Sequence, residues 1–382
     1  MNAHFSNKLR LIFVFTLVGS TALAGKTAAA DESIVIDDKD YPQVYAAKKL
    51  QRFDKDGNGC IDEPESGRNW QRLKKLDTNQ DNAVCLEELK QDTIQYLETG
   101  GERKLNIRYK QVDKKSLHLD LYYPTGKQFA NCPVIFYTHG GGWAVGSKHG
   151  AAIASFAKVF KQATQEGFAI AAVNYRLWSK GGTSAMRDCV IDCKDAMRFL
   201  SKHCDELKVD PNRFFVMGDS AGGQIAQMLL LSSPESLPGD QDLAENSYKM
   251  VAGVSWYGPC DFEQTDLFNH DDREGFRDRF GPRILKPDTD PKDKLPLYRE
   301  MSPVNYLTKG SPPLLMIQGD KDTTIPVKHA YRIQQQAKSL NAPVEILIIK
   351  NAGHNWRSVG ADIDPSRNAI IERTIQFFVD HR

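Results

Sequence analysis

Long apolar runs are almost missing from this sequence. The longest, LIFVFTLVGSTALA over residues 11–24, is too short to span a bilayer comfortably, and no other long apolar stretch follows it. An excess of charge of one sign is missing too: 50 Lys and Arg stand against 49 Asp and Glu, a net charge of +1. Phosphate backbones require a concentrated basic surface, and no Lys/Arg run occurs outside the first ten residues, so nucleic acid is not an expected partner. Cysteine is sparse and odd in number, seven in all, which leaves at least one unpaired. The composition is not that of a disordered chain. With 41% apolar residues over 382 positions, there is material for one large core and a small additional unit.

The one apolar run follows Lys8 and Arg10 and gives way to small residues through TAAA to Ala30. This is the three-part layout of an export signal, with cleavage expected after Ala24 or Ala30. No cysteine lies near those small residues, so a bacterial lipid anchor is not expected. The expectation is a secreted or periplasmic protein with no membrane insertion after signal removal. Disulfides are permissible in such a compartment.

Three zones follow: a signal over 1–30, a polar, acidic and helix-rich zone over 31–100, and a zone over 101–382 in which short apolar runs alternate with amphipathic stretches. In the last zone, NIRYKQV and SLHLDLYYP alternate polar with apolar residues and stop at Pro124, as an edge hairpin would. PVIFYTH, FAIAAVNY, RFFVMGD, MVAGVSWYG, PLLMIQGD and PVEILIIK are nearly continuously apolar, the pattern of strands buried on both faces of a parallel sheet. AMRDCVIDCKDAMRFLSKH and HAYRIQQQAKSLN carry apolar residues at helical spacing. The fold class expected is α/β, with helices on both sides of the sheet.

Within the acidic zone, DKDGNGCIDEPE sets Asp54, Asp56, Asn58, Cys60 (through its carbonyl), Asp62 and Glu65 at positions 1, 3, 5, 7, 9 and 12 of a twelve-residue calcium loop, with Gly59 at 6. DTNQDNAVCLEE repeats the pattern with Asp77, Asn79, Asp81, Ala83 (carbonyl) and Glu88, but Asn82 replaces the glycine. Asparagine tolerates the left-handed backbone better than other side chains, so this loop is expected to be the weaker. The pair resembles a tandem EF-hand and implies structural Ca2+. In such pairs the eighth positions face each other, here Ile61 and Val84. That resemblance places Cys60 opposite Cys85 and predicts a disulfide between them.

VMGDSAGGQIAQMLL places Ser220 within Gly218-Asp219-Ser220-Ala221-Gly222, after an apolar strand and before a helix. This is the strand–turn–helix context in which GxSxG presents a nucleophile. The hydroxyl needs a base. His354, in IIKNAGHNW, lies late in the chain just past the last apolar run, whereas His118 falls in the edge hairpin and His149, His203 and His329 fall on polar or helical segments where solvated imidazoles are expected. The orienting acid is expected from LLMIQGDKDTTIP, with Asp322 preferred and Asp320 assigned to holding the turn. FYTHGGGWAVGS follows a strand; its glycines bring amide hydrogens close to a developing oxyanion. Gly141 and Gly142, with Ala221, are the expected donors, and His139 is expected to brace the loop. HGGGW lacks both the lysine of a phosphate loop and the spacing of a dinucleotide fingerprint.

HGGGW at 139–143, VNYRL, VDPNRFFVMGDSAGG, GDKD and GH at 353–354 together resemble the α/β-hydrolase superfamily. More narrowly, they resemble hormone-sensitive-lipase-like esterases and the bacterial feruloyl and acetylxylan esterases. The resemblance spans residues 105–382 and implies a three-layer sandwich with a mostly parallel sheet, a Ser220–Asp322–His354 triad, an oxyanion hole of Gly141, Gly142 and Ala221, and no cofactor in the chemistry. It departs from the family in its EF-hand-like front end and in lacking an extended helical cap. The expected activity is hydrolysis of carboxylic esters, short-acyl or aryl, through an acyl-enzyme, with small molecules or plant and algal polysaccharides as sources. The alternatives are an arylformamidase-type amidase and a calcium-dependent binding module on an inactive hydrolase fold.

Residues 261–305 form a charged, proline-bearing insertion between two core strands, too long for a tight connection and expected to overhang Ser220. Its polarity points to a polar ester rather than a triglyceride. Cys189 and Cys193 share a helix face and are expected to be buried or disulfide-bonded rather than metal ligands, there being no His at metal spacing. The partners of Cys132, Cys204 and Cys260 are left open.

Overall fold

The computed structural model describes residues 33–37, 41–90, 95–126, 131–272 and 278–382. The expected export signal lies outside the described residues. In the acidic zone, a helix over Tyr41–Phe53 precedes the first loop, and β1 (Cys60–Asp62) pairs antiparallel with β2 (Ala83–Cys85). Ile61 faces Val84 and Cys60 faces Cys85, and these two cysteines form a disulfide. A separate small core of Ala46, Ile61, Trp70, Leu73, Val84 and Leu89 lies beneath the two loops.

The remaining strands build one eight-stranded sheet in the order β10-β9-β8-β7-β5-β6-β4-β3. β3 (Arg103–Val112) and β4 (Lys115–Tyr122) are the expected hairpin, with β3 at the edge and β4 antiparallel to β6. β5 (Cys132–Thr138), β6 (Ala169–Val173), β7 (Val209–Asp219), β8 (Met250–Trp256), β9 (Leu314–Gly319) and β10 (Val344–Ile349) run parallel. Because successive side chains point to opposite faces, each central strand feeds two cores. Val134, Phe136, Phe214 and Val216 enter one, where helices Met186–Lys202, Ala221–Leu231 and Lys328–Leu340 pack. Ile135, Tyr137, Phe215 and Met217 enter the other, beneath helices Ala154–Gln165 and Arg367–Asp380. The result is a three-layer α/β sandwich. No helix among the described residues is long and apolar enough to cross a membrane.

Two short segments assigned to the calcium zone by sequence lie on this sandwich instead. Ile36 bridges to Ile107 on β3, and Leu97 is buried with Tyr122 and Ile135. Asp37 anchors the first segment through Arg108, at 2.8 and 2.9 Å, and His118, at 2.8 Å.

From β5 the chain moves to β6 on one side, then returns to place β7 on the other side of β5. The carboxyl ends of β5 and β7 therefore lie side by side where the winding reverses, the place where an open α/β sheet leaves a crevice. The glycine loop leaves β5 there, and the Ser220 turn leaves β7. Glycine is required at this approach. A Cβ on Gly222 would sit 2.0 Å from the Thr138 carbonyl oxygen, and one on Gly218 would sit 2.1 Å from the Gly222 carbonyl oxygen. Both obstacles are backbone and cannot swing aside. Gly222→Ala is therefore expected to destabilise the protein by at least ~1–3 kcal/mol, read as a lower urea midpoint. An unchanged midpoint would contradict this packing.

Candidate active site

Ser220 adopts φ 52° and ψ −117° between β7 and the helix Ala221–Leu231. Its N–H donates to the Trp256 carbonyl at 2.9 Å, which fixes the turn and leaves the hydroxyl on the cavity side. A non-glycine residue at such a φ is strained, and the flanking strand and helix hold it there. His354 follows β10, and its Nε2 lies 3.0 Å from Ser220 Oγ. Its Nδ1 lies 2.7 Å from Asp322 Oδ2. A carboxylate can only accept, so Nδ1 carries the proton and Nε2 is left to accept from the serine hydroxyl.

Asp322 is 3% exposed and well supplied with donors. Oδ1 accepts the N–H groups of Thr324, at 2.8 Å, and Ile325, at 3.0 Å, while Oδ2 also accepts from Gln318 Nε2 at 3.2 Å. The turn-holding bonds assigned by sequence to Asp320 thus come from Asp322, which both shapes the loop and faces the imidazole. The nearest cation to Asp320 is its neighbour Lys321, at 3.9 Å.

The loop after β5 is pinned at each carbonyl. The Gly140 carbonyl lies 2.8 Å from His139 Nδ1, that of Gly141 accepts from Ala144 and Val145, and that of Gly142 accepts from Arg283 Nη1 at 2.6 Å. In a trans peptide the next N–H points opposite to the carbonyl. The N–H groups of Gly141 and Gly142 therefore point away from these partners, and both residues line the cavity containing Ser220 and His354. Ala221 opens its helix, so no carbonyl one turn back takes its N–H. His139 stacks on Tyr175 with ring centroids 4.2 Å apart, and burial pulls its pKa down to about 4. It is a neutral brace.

Sequence reasoning missed Asp219, although it stands inside the quoted pentapeptide. Asp219 Oδ1 accepts from the Gly140 N–H at 2.9 Å and from the Tyr137 hydroxyl at 3.1 Å, tying the glycine loop to β7. Burial raises its pKa to about 6. It also missed Gln224, which accepts from Trp143 Nε1 at 3.0 Å and donates to the Met301 carbonyl at 2.9 Å. Three histidines expected to be solvated are not. His149 is 7% exposed and packs edge-on against Tyr96, His203 is half-buried against Phe199, and His329 is fully buried. His329 shares the inner stripe of its helix with Ile333 and Ala337, and burial pushes its pKa down to about 3. Polar neighbours in sequence say little about which helix face a residue takes.

From the segment between β8 and β9, Arg279, Phe280 and Arg283 line a cavity of about 350 Å³ together with Gly141, Gly142, Trp143, Ser220 and His354. Cys132, Cys189, Cys193, Cys204 and Cys260 are free thiols.

The two acidic loops keep their side-chain oxygens turned inward. Asp54 accepts from the N–H groups of Gly57 and Gly59, Asp56 from Asn58, and Asn58 from Cys60. Carboxylate oxygens of Asp54, Asp56 and Glu65 lie within 4.8 Å of one another, an all-oxygen set that fits a hard cation. Asp62 spends its carboxylate on capping the helix that begins at Glu63. In the second loop, Asp77, Asn79, Asp81 and Glu88 accept equivalent N–H groups, and Asn82 takes the left-handed φ of 63° in place of glycine. Among the described residues, its carboxylates do not gather as closely. The backbone carbonyls of Cys60 and Ala83 lie on the paired strands β1 and β2.

The parallel sheet, its flanking helices and the loops at the carboxyl ends of its strands define an α/β-hydrolase. Within that class, the profile of the BD-FAE family matches residues 119–337, more than half the chain, and the chain belongs to that family. It is similar to the probable carboxylic ester hydrolase LipM of Mycobacterium tuberculosis, 26% identical over 59% of this chain and 49% of that protein. It is also similar to the esterase LipC of the same organism, 28% identical over 62% and 57%. The chain thus spans about half the length of these curated relatives. The solved esterase of Thermogutta terrifontis, Est2 with butyrate bound, matches with a TM-score of 0.58 and 25% identity over 74% of this chain and 94% of that one.

Asp219 retains its proton up to about pH 6 in the folded protein but releases it near 3.8 when unfolded. Its contribution to stability therefore falls as pH rises through that interval. Asp219→Asn should remove this slope. Urea unfolding at each pH should show wild type losing stability relative to the variant between about pH 4 and about pH 6. A pH-independent difference would contradict the raised proton affinity.

Proposed function

We propose that this protein is an exported serine carboxylic ester hydrolase. The observation that carries the reading is the hydrogen-bonded file Ser220–His354–Asp322, closed by amide hydrogens on the same cavity. Ser220 Oγ attacks the ester carbonyl while His354 Nε2 takes its proton, and Asp322 balances the imidazolium. The N–H groups of Gly141, Gly142 and Ala221 receive the oxyanion. His354 returns the proton to the departing alkoxide, leaving an acyl-Ser220 ester. Water, deprotonated by the same imidazole, then releases the acid.

The cavity, about 350 Å³, is near the small end of ligand pockets and supports short-acyl or small aryl esters. The butyrate bound to the Thermogutta terrifontis relative supports the same size class. Plant or algal polysaccharide esters fit if only the esterified group enters. The export reading rests on Lys8, Arg10 and the apolar run that follows, and on the Cys60–Cys85 bond. Ca2+ would be held by Asp54, Asp56, Asn58, the Cys60 carbonyl and Glu65, with a weaker ion at Asp77, Asn79, Asp81, the Ala83 carbonyl and Glu88. Bound there, it would neutralise clustered carboxylates and stabilise the folded loops.

A panel of para-nitrophenyl esters of rising acyl length, beside acetylated xylan and methyl ferulate, tests the reaction. Wild type should prefer short acyl groups and react with a fluorophosphonate probe, and Ser220→Ala should lose turnover by roughly a million-fold. Absence of both turnover and labelling would overturn the reading in favour of an inactive binding module. Faster cleavage of formylkynurenine than of any aryl ester would favour the amidase.

Calcium binding to the folded state alone should add about 3 kcal/mol when the ion stands roughly a hundredfold above its Kd. A chelator is therefore expected to lower Tm while leaving ester turnover at low temperature nearly unchanged. Loss of turnover with the fold intact would contradict a purely structural role.

A further inference from the structure

Ester cleavage leaves two guanidinium groups in the cavity unexplained. Arg279 and Arg283, both on the insertion between β8 and β9, line its wall. Arg283 lies 5.7 Å from the Trp178 ring and 5.3 Å from the Phe280 ring, with Nη1 committed to the Gly142 carbonyl. Arg279 lies 5.3 Å from the ring of Phe280 and is otherwise exposed. Among the described residues, the one carboxylate lining the cavity, that of Asp219, already accepts from Gly140 and Tyr137. Among the described residues, neither arginine forms an ion pair.

Two like charges facing one partly buried cavity repel each other. Burial and the Arg279 charge pull the Arg283 pKa below its ordinary value. Such a pair is stabilised when an anion enters between them, and the planar fork of a guanidinium matches a carboxylate with two parallel hydrogen bonds. Arg283 is held by Trp178, Phe280 and Gly142 before any ligand arrives, so little side-chain freedom is lost when one binds. Arg279, exposed and without a hydrogen bond among the described residues, can turn toward the ligand.

We propose that the substrate is an ester carrying its own carboxylate, which Arg279 and Arg283 bind while its ester carbonyl lies over Ser220. This inference rests on the hydrolase reading above and deepens it. The negative charge can belong to the acyl half, as in a dicarboxylic acid monoester, or to the alcohol half, as in an ester of a hydroxy acid. Arg279 then determines specificity, and Arg283 both binds the anion and steadies the oxyanion loop.

Two matched pairs of substrates separate these cases. One is para-nitrophenyl hemiglutarate beside its methyl ester; the other is meta-carboxyphenyl butyrate beside its methyl ester. For wild type, kcat/KM should favour the charged member of at least one pair by about tenfold, mostly through KM, and added salt should weaken the preference. Arg279→Gln, whose folding is checked by Tm, should bring that ratio close to one. Its lost guanidinium breaks no hydrogen bond among the described residues. Cleavage of the neutral esters with no preference for either charged one, or a preference that survives Arg279→Gln, would overturn the inference and leave the hydrolase standing. Failure to cleave any of the four would remove the hydrolase reading itself and the inference with it.

Discussion

Where β5 and β7 end, two backbones approach until no side chain fits between them, and the site depends on that approach. Thr138 Oγ1 donates to the Gly222 carbonyl at 2.8 Å, and Gly218 and Gly222 keep their Cα atoms bare where a Cβ would strike carbonyl oxygen. Only this closeness lets the Ser220 turn and the glycine loop share one cavity. The strain at Ser220, with φ at 52°, is sustained because a buried strand and a buried helix clamp its two sides.

Around that contact, elements far apart in sequence hold the glycine loop. Asp219, from β7, takes the Gly140 N–H, and the Tyr175 hydroxyl, just past β6, donates to the His139 carbonyl at 2.6 Å. Gln224, on the helix after Ser220, holds Trp143, and Arg283 from the insertion holds Gly142. Each bond gives a partner to a polar backbone or side-chain group of the loop. The same bonds orient the peptide planes, so preorganisation of the amide donors follows from hydrogen-bond satisfaction.

The acidic zone is organised differently. Its core has few buried apolar side chains, chiefly Trp70, Leu73, Leu89 and the facing pair Ile61 and Val84. So small a core leaves little surplus over chain entropy, and small units of this kind commonly rely on disulfides or metals. Cys60–Cys85 crosslinks the two loops at their shared strand pair. Carboxylates of Asp54, Asp56 and Glu65 gather within the first loop, where a divalent cation, if bound, would offset their mutual repulsion.

Much was legible in the chain because it was local. Apolar runs marked the parallel strands, GDSAGG between strand and helix marked the turn, and the spacing of oxygen-bearing residues marked both loops, whose resemblance to a tandem EF-hand implied the facing cysteines. Each is a short-range constraint on backbone geometry, so residue order alone expresses it. Other features depended on which groups meet across the fold. Asp322 was separated from Asp320 by the bonds its carboxylate makes to Thr324, Ile325 and His354, and Asp219 became a loop anchor only when β5 was placed beside β7. His329 looked solvated until its helix packed with Ile333 and Ala337 inward, and Arg279 and Arg283 were two charges among many until the insertion folded over Ser220. Sequence determined the elements and the reactive turn through local sterics. Tertiary structure decided burial, charge pairing and the shape of the cavity, because those are set by neighbours distant along the chain.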